Sequence, residues 1–287
     1  MRRLRDHPPH PADWQILALD AAILLTVPLA LVAIQFAGSP ALHQLLTVDS
    51  EQVTLLGWIG HWAVHYSTGL LLANLLGYAL VVGVAYGLAW AQEERWWFRL
   101  SAGAILLVVP SAATLGSDLA FAHLRPGLTY TARGASAVVA GLLGLLAVLF
   151  LGLLERRYDT RAAVVGGGFL TVGVLLSLLV RVGSPSRATI GGVLGALALV
   201  LGFDITMRLR KGIHEAHTRI NWRRLGGTLL AGAVVFVVTL SIAVALFPAD
   251  PFHGSQITNV FGHAAGFLVG ALIALWGRRY WSPRSWV

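Results

Sequence analysis

GASAVVAGLLGLLAVLFLGLL, residues 134–154, is a run of 21 residues without a charge, closed by Glu155-Arg156-Arg157. A lipid bilayer has a hydrocarbon core about 30 Å thick and takes roughly 20 apolar residues of helix to cross. The run has that length, its one hydroxyl is Ser136, and its glycines are spaced so that another helix could approach closely. Seven further runs of the same kind occur, at about 14–36, 67–90, 100–117, 162–180, 188–207, 225–247 and 257–277. In hydrocarbon every backbone polar group must be satisfied within the segment, so each run is expected to be a helix.

Composition agrees with this reading. Of 287 residues 56% are hydrophobic and 12% charged, with a mean hydropathy of +0.73. A soluble domain carries about 25% charged residues, so a soluble enzyme and a disordered chain are both excluded. The net charge of +8 does not indicate nucleic acid, because the basic residues lie between the apolar runs. There they act as topology signals. Cysteine is absent, which excludes disulfides and Fe–S clusters.

With the N-terminus placed in the cytoplasm, 17 of the 21 basic residues fall on the inner side of the eight spans. Only Arg125, Arg133, Arg181 and Arg187 fall outside. The expected fold is therefore an all-α, polytopic bundle of about eight spans with both termini cytoplasmic. It forms a single domain over 1–287, with residues 1–13 as a short cytoplasmic tail. The first span lacks a small-residue cleavage site and is expected to be retained. The long outer loop from Ala37 to Tyr66 carries apolar clusters suited to the membrane interface.

Ionisable and polar groups inside spans are costly, so they become functional candidates. Asp20 and Asp204 lie near inner ends, where a bond to a neighbouring helix or to the interface would accommodate them. His61 and His65 are four apart, the spacing that puts two ligands of a metal on one helix face. No third ligand stands nearby, and no metal or cofactor is expected. Three residues share a depth near the outer surface: Asn74 in the second span, Ser136 in the fourth and His263 in the eighth. All three helices run from outside to inside. Ser and His at one depth can pair as nucleophile and base, and an amide beside them can donate to an oxyanion.

In order along the chain, these motifs resemble the rhomboid family of intramembrane serine proteases. His65 and Asn74 resemble the His and Asn of that family's second core helix. Glu93-Glu-Arg-Trp-Trp-Phe-Arg99 resembles the inner loop that follows it. Gly134-Ala-Ser136-Ala, continuing to Gly141-Leu-Leu-Gly144, resembles the Gly-x-Ser-Gly helix. His263-Ala-Ala-Gly266 with Gly270 resembles the helix of the catalytic His. The resemblance implies a six-helix core plus two extra spans, at ~188–207 and ~225–247. It implies Ser136 as nucleophile, His263 as general base, Asn74 as oxyanion donor, and His65, Gly134 and Gly266 in support. The implied partner is a transmembrane protein substrate within the bilayer of the cell membrane.

The sequence departs from the family at several points. Leu70 stands where a second oxyanion donor is expected. Ala137 follows the Ser in place of Gly, and Ala140 stands where an aromatic residue would pack on the His. The loop 37–66 has no Arg. A weakly active or inactive relative that binds membrane helices is the alternative reading. A transporter would instead show repeats and midplane charges, and neither is evident.

Overall fold

The computed structural model describes residues 11–124, 126–127, 129–182, 222–247, 252–253, 256–257 and 259–281. The run at 188–207, with Asp204, lies outside them, as do the first ten residues and the last six. The other seven apolar runs each coincide with a helix. These are α1 (Pro11–Ala37), α4 (Thr68–Ala91), α5 (Arg95–Leu124), α6 (Ser136–Arg157), α7 (Thr160–Val182), α8 (Trp222–Leu246) and α9 (Val260–Tyr280). Six of them contain segments long and apolar enough to cross a membrane: Trp14–Ala37, Thr68–Ala91, Arg95–His123, Ser136–Arg157, Leu225–Leu246 and Val260–Tyr280. The protein is a multi-pass membrane helix bundle. Helix α5 is longer than the expected span at both ends, because amphipathic turns at Arg95–Arg99 and Ser117–Leu124 extend its apolar centre.

The apolar run that opened the sequence reading becomes the axis of the bundle. Helix α6 is buried along nearly its whole length, with Leu145, Leu146 and Leu149 at its centre. Helices α4, α5, α7, α8 and α9 surround it, α9 lying closest. That closeness follows from small residues. A methyl group placed on Gly270 would lie 2.1 Å from the Gly141 carbonyl oxygen, and one on Gly266 would lie 2.4 Å from that of Ala137. One on Gly144 would lie 2.4 Å from the carbonyl of Phe267. The two backbones touch directly, as small-residue seams in membranes allow. Gly134 lies outside this seam, against α4 instead.

The segment 37–66 folds over one end of the bundle. Helices α2 (Pro40–Leu45) and α3 (Leu55–Gly60) are capped by the hydroxyls of Ser39 and Thr54, each accepting from a backbone N–H three residues on. Strand β1 (Val48–Asp49) pairs antiparallel with β2 (Thr131–Ala132), just before α6. Arg133 Nε donates to Thr47 Oγ1 at 2.7 Å, and Tyr66 OH to the Thr131 carbonyl at 2.8 Å. Val53, Leu55, Leu56 and Ile59 remain exposed, which suits a segment lying in the interface. A second hairpin joins β3 (Phe252–His253) to β4 (Gln256–Ile257) between α8 and α9.

The opposite end carries the basic residues and is held by ion pairs. Glu94, almost fully buried, pairs with Arg156, and Arg278 pairs with Glu155 at 2.8 Å. Asp20 is buried between α1, α4 and α5, where it pairs with Arg99 and accepts from Tyr86 OH. This is the bond to neighbouring helices that its position called for.

Candidate active site

Three helix beginnings converge at the end of the bundle covered by 37–66. Helix α6 begins at Ser136 itself, with Ala135 as its N-cap. The first backbone N–H groups of a helix have no intrahelical partner, so those of Ser136 and its successors are free to bind an anion. Helix α9 begins at Val260. Asn259 caps it, its Oδ1 accepting from Gly262 N–H at 2.9 Å, while its amide hydrogen-bonds Ser117 of α5 at 2.7 Å. The cap fixes the first turn of α9, which carries His263.

Ser136 Oγ and His263 Nε2 lie 2.8 Å apart. No helix intervenes, because the Ala137–Gly266 contact lies one turn below. His263 is buried, 5% exposed. Its other nitrogen, Nδ1, lies 2.7 Å from the carbonyl oxygen of Leu246, the last residue of α8. A carbonyl can only accept, so Nδ1 carries the proton. Nε2 is then left with a lone pair for the serine hydroxyl. The last carbonyls of a helix lack intrahelical partners, so His263 also satisfies the end of α8. The ring of Phe247 packs edge-on against the imidazole, with centroids 6.1 Å apart and planes at 82°.

The stretch before Ser136 is set by α4 and the 37–66 segment. Gly134 has φ of +117°, a conformation that side chains disfavour. A methyl group there would also lie 3.4 Å from Asn74 Nδ2, 3.5 Å from Leu70 Cδ2 and 3.8 Å from His65 Cδ2. Its N–H donates to the His61 carbonyl at 3.0 Å. The next N–H, of Ala135, donates to His65 Nε2 at 3.4 Å. Asn74 is buried, and its Nδ2 has no hydrogen-bond partner. An unmet buried donor costs about 1–3 kcal/mol, so a donor kept open against Gly134, two residues before Ser136, calls for an acceptor that arrives later.

Every residue singled out for the site is thus gathered around Gly134–Ser136, except Gly266, which acts one turn deeper in the α6–α9 seam. Leu70 and Asn74 both lie against Gly134, as their spacing of four allows. The His61–His65 spacing does not become a ligand face. His61 opens a 3-10 turn ending at Ala63, Val64 is extended, and His61 Nδ1 hydrogen-bonds the Trp58 carbonyl at 3.2 Å. Among the described residues no cluster of three or more potential metal ligands occurs. Burial holds the His65 imidazole down at about 4, so it is neutral at neutral pH and able to accept from Ala135.

The sequence reading missed Leu246 and Phe247. The aromatic ring absent at Ala140 of α6 is supplied from the end of α8 instead. Its only sequence signal is Phe247 at the outer end of a span, level with His263. No family model, curated protein or solved structure matches this chain.

Proposed function

We propose that the protein is a rhomboid-like intramembrane serine protease whose catalytic dyad is Ser136 and His263. The observation that carries the reading is the 2.8 Å approach of Oγ to Nε2, with Nδ1 of the same ring tied to a carbonyl. On attack at a peptide carbonyl, Oγ forms the new bond and Nε2 takes its proton. The oxyanion accepts from the Ser136 backbone N–H and from Asn74 Nδ2, with the positive end of the α6 dipole beneath it. The tetrahedral intermediate collapses as His263 returns the proton to the leaving amine. Water then repeats the sequence on the acyl-enzyme. Leu246 does for His263 part of what an acidic third residue does elsewhere: it sets the tautomer and the ring plane.

The substrate class is a membrane-spanning helix. It must unwind near the site before its backbone carbonyl can be attacked, so helix-breaking Gly or Pro near the cut lowers the cost. The expected topology puts the dyad near the outer surface of the cell membrane, with both termini inside.

Leu70 favours a second reading, a relative that binds membrane helices and cleaves slowly or not at all. It fills the pocket where a further donor would stand, and loss of such a donor typically costs about 10²–10³ in rate.

Reconstitution in liposomes with a panel of single-span proteins tests the choice. Cleavage abolished by Ser136→Ala and by His263→Ala is the expected result. Tight association with the panel and no cleavage would support the binding reading and overturn the protease.

A further inference from the structure

Toward the basic end of the bundle, a cavity of about 120 Å³ opens between α1, α4 and α5, with Leu142 of α6 at its back. Its walls are largely apolar, formed by Leu24, Val27, Val82, Phe98 and Leu106, with Gly103 among them. Its polar end is the cluster of Asp20, Tyr86 and Arg99. Asp20 forms an ion pair with Arg99 through Oδ1 and accepts from Tyr86 OH through Oδ2. Arg99 still has an unpartnered Nε, buried from solvent. One turn earlier on the same face of α5, Arg95 lies against the Trp90 ring at 4.4 Å, and its Nη1 is likewise buried and unpartnered. Glu94 of the adjoining turn is already taken by Arg156.

The backbone of α1 contributes to the same opening. Pro28 has no N–H to give the Leu24 carbonyl, and Tyr78 OH of α4 donates there instead, at 3.0 Å. Leu24 and Tyr78 both line the cavity. Helix α1 is thus held across the gap by polar contacts at Tyr78, Tyr86 and Arg99, while its apolar packing is tightest further along, at Leu31.

We propose that this cavity binds an anionic phospholipid, with its phosphate on Arg95 and Arg99 and one acyl chain along the apolar wall. Two guanidinium groups less the Asp20 carboxylate leave one net positive charge, the complement of a phosphodiester. Arginine forks match phosphate oxygens geometrically. The apolar walls take the first few methylenes of the chain, and the open Arg99 Nε stands at the polar end of the lining, with Arg95 beside it one turn along the same helix face. The site is independent of the protease reading.

The test uses the purified full chain in neutral detergent. It compares phosphatidylglycerol, phosphatidylcholine with the same chains, and inorganic phosphate, read by lipid retention in native mass spectrometry and by thermal shift. Phosphatidylglycerol should bind at least about fivefold more tightly than phosphatidylcholine, the effect of one basic residue near a membrane surface. Arg95→Gln should remove that preference while chain binding remains. Gly103→Leu should remove binding of both lipids. A Cβ there meets nothing within 4 Å, so the new side chain enters the cavity without displacing a helix. Equal binding of the two lipids by the wild type, unchanged preference in Arg95→Gln, or unchanged binding in Gly103→Leu would each overturn the proposal. So would an equal thermal shift from inorganic phosphate alone.

Discussion

Gly270→Ala separates packing from chemistry, because the substituted atom lies two turns from His263 and touches nothing in the site. The added methyl would lie 2.1 Å from Gly141 O, 2.5 Å from its Cα and 2.6 Å from its carbonyl carbon. All three are backbone atoms in the buried second turn of α6, so no side chain can swing away. A carbon–oxygen contact needs about 3.3 Å, and α9 must therefore move from α6 by about 1.2 Å. Carried to the first turn of α9, that shift stretches the Ser136–His263 approach from 2.8 Å to about 4 Å, beyond the reach of proton transfer. Loss of a general base costs about 10²–10⁴ in rate, whereas overpacking costs only about 1–3 kcal/mol of stability. The assay is the rate at which a fluorophosphonate, attacked only by an activated serine, labels Ser136 in folded protein. Gly83→Ala is the control, since a methyl there meets nothing within 4 Å. It should label at the wild-type rate. Wild-type labelling by Gly270→Ala with an unchanged Tm would refute the argument that the seam sets the dyad distance.

Leu70→His, placing a donor beside Asn74, should raise turnover by up to about 10²-fold, and the gain should vanish with Ser136→Ala and shrink with Asn74→Ala. His65 is held neutral by burial at about 4, below its ordinary 6.5. The unfolded chain therefore takes up a proton first as the pH falls, and stability should drop between pH 6.5 and 4 while staying level above that window. Thermal unfolding of wild type against His65→Gln checks this, the slope being shallower in the variant. Glu94→Gln should destabilise by about 3–5 kcal/mol, because it leaves Arg156 without its buried partner; thermal unfolding reads the loss. Reporter fusions after Arg157 and Arg210 should score as cytoplasmic, and fusions near Pro126 and Pro251 as external.

The helices were legible because hydrocarbon imposes length and apolarity on each span separately, with no reference to tertiary contacts. That Asn74, Ser136 and His263 gather at one end of the bundle was legible for a related reason, since each stands near the beginning of its apolar run and the three runs were expected to point the same way. Residue letters do not report backbone groups. The Leu246 carbonyl that orients His263 has no signature in sequence, and the ring of Phe247 reaches the imidazole only because α8 ends beside α9. Ala140 leaves no missing contact, because packing draws the ring from the neighbouring helix, at Phe247. The His61–His65 spacing has no meaning as a ligand pair, because the chain leaves its 3-10 turn at Val64, and the two residues instead hold Gly134 and Ala135.

The central claim is that His263 makes Ser136 nucleophilic. Mapping the fluorophosphonate adduct by mass spectrometry tests it without any knowledge of the natural substrate. The account predicts a single adduct on Ser136 in wild type, none in Ser136→Ala, and labelling slowed at least about 10²-fold in His263→Ala. An adduct on another residue, or labelling of Ser136 at an undiminished rate without His263, would contradict it.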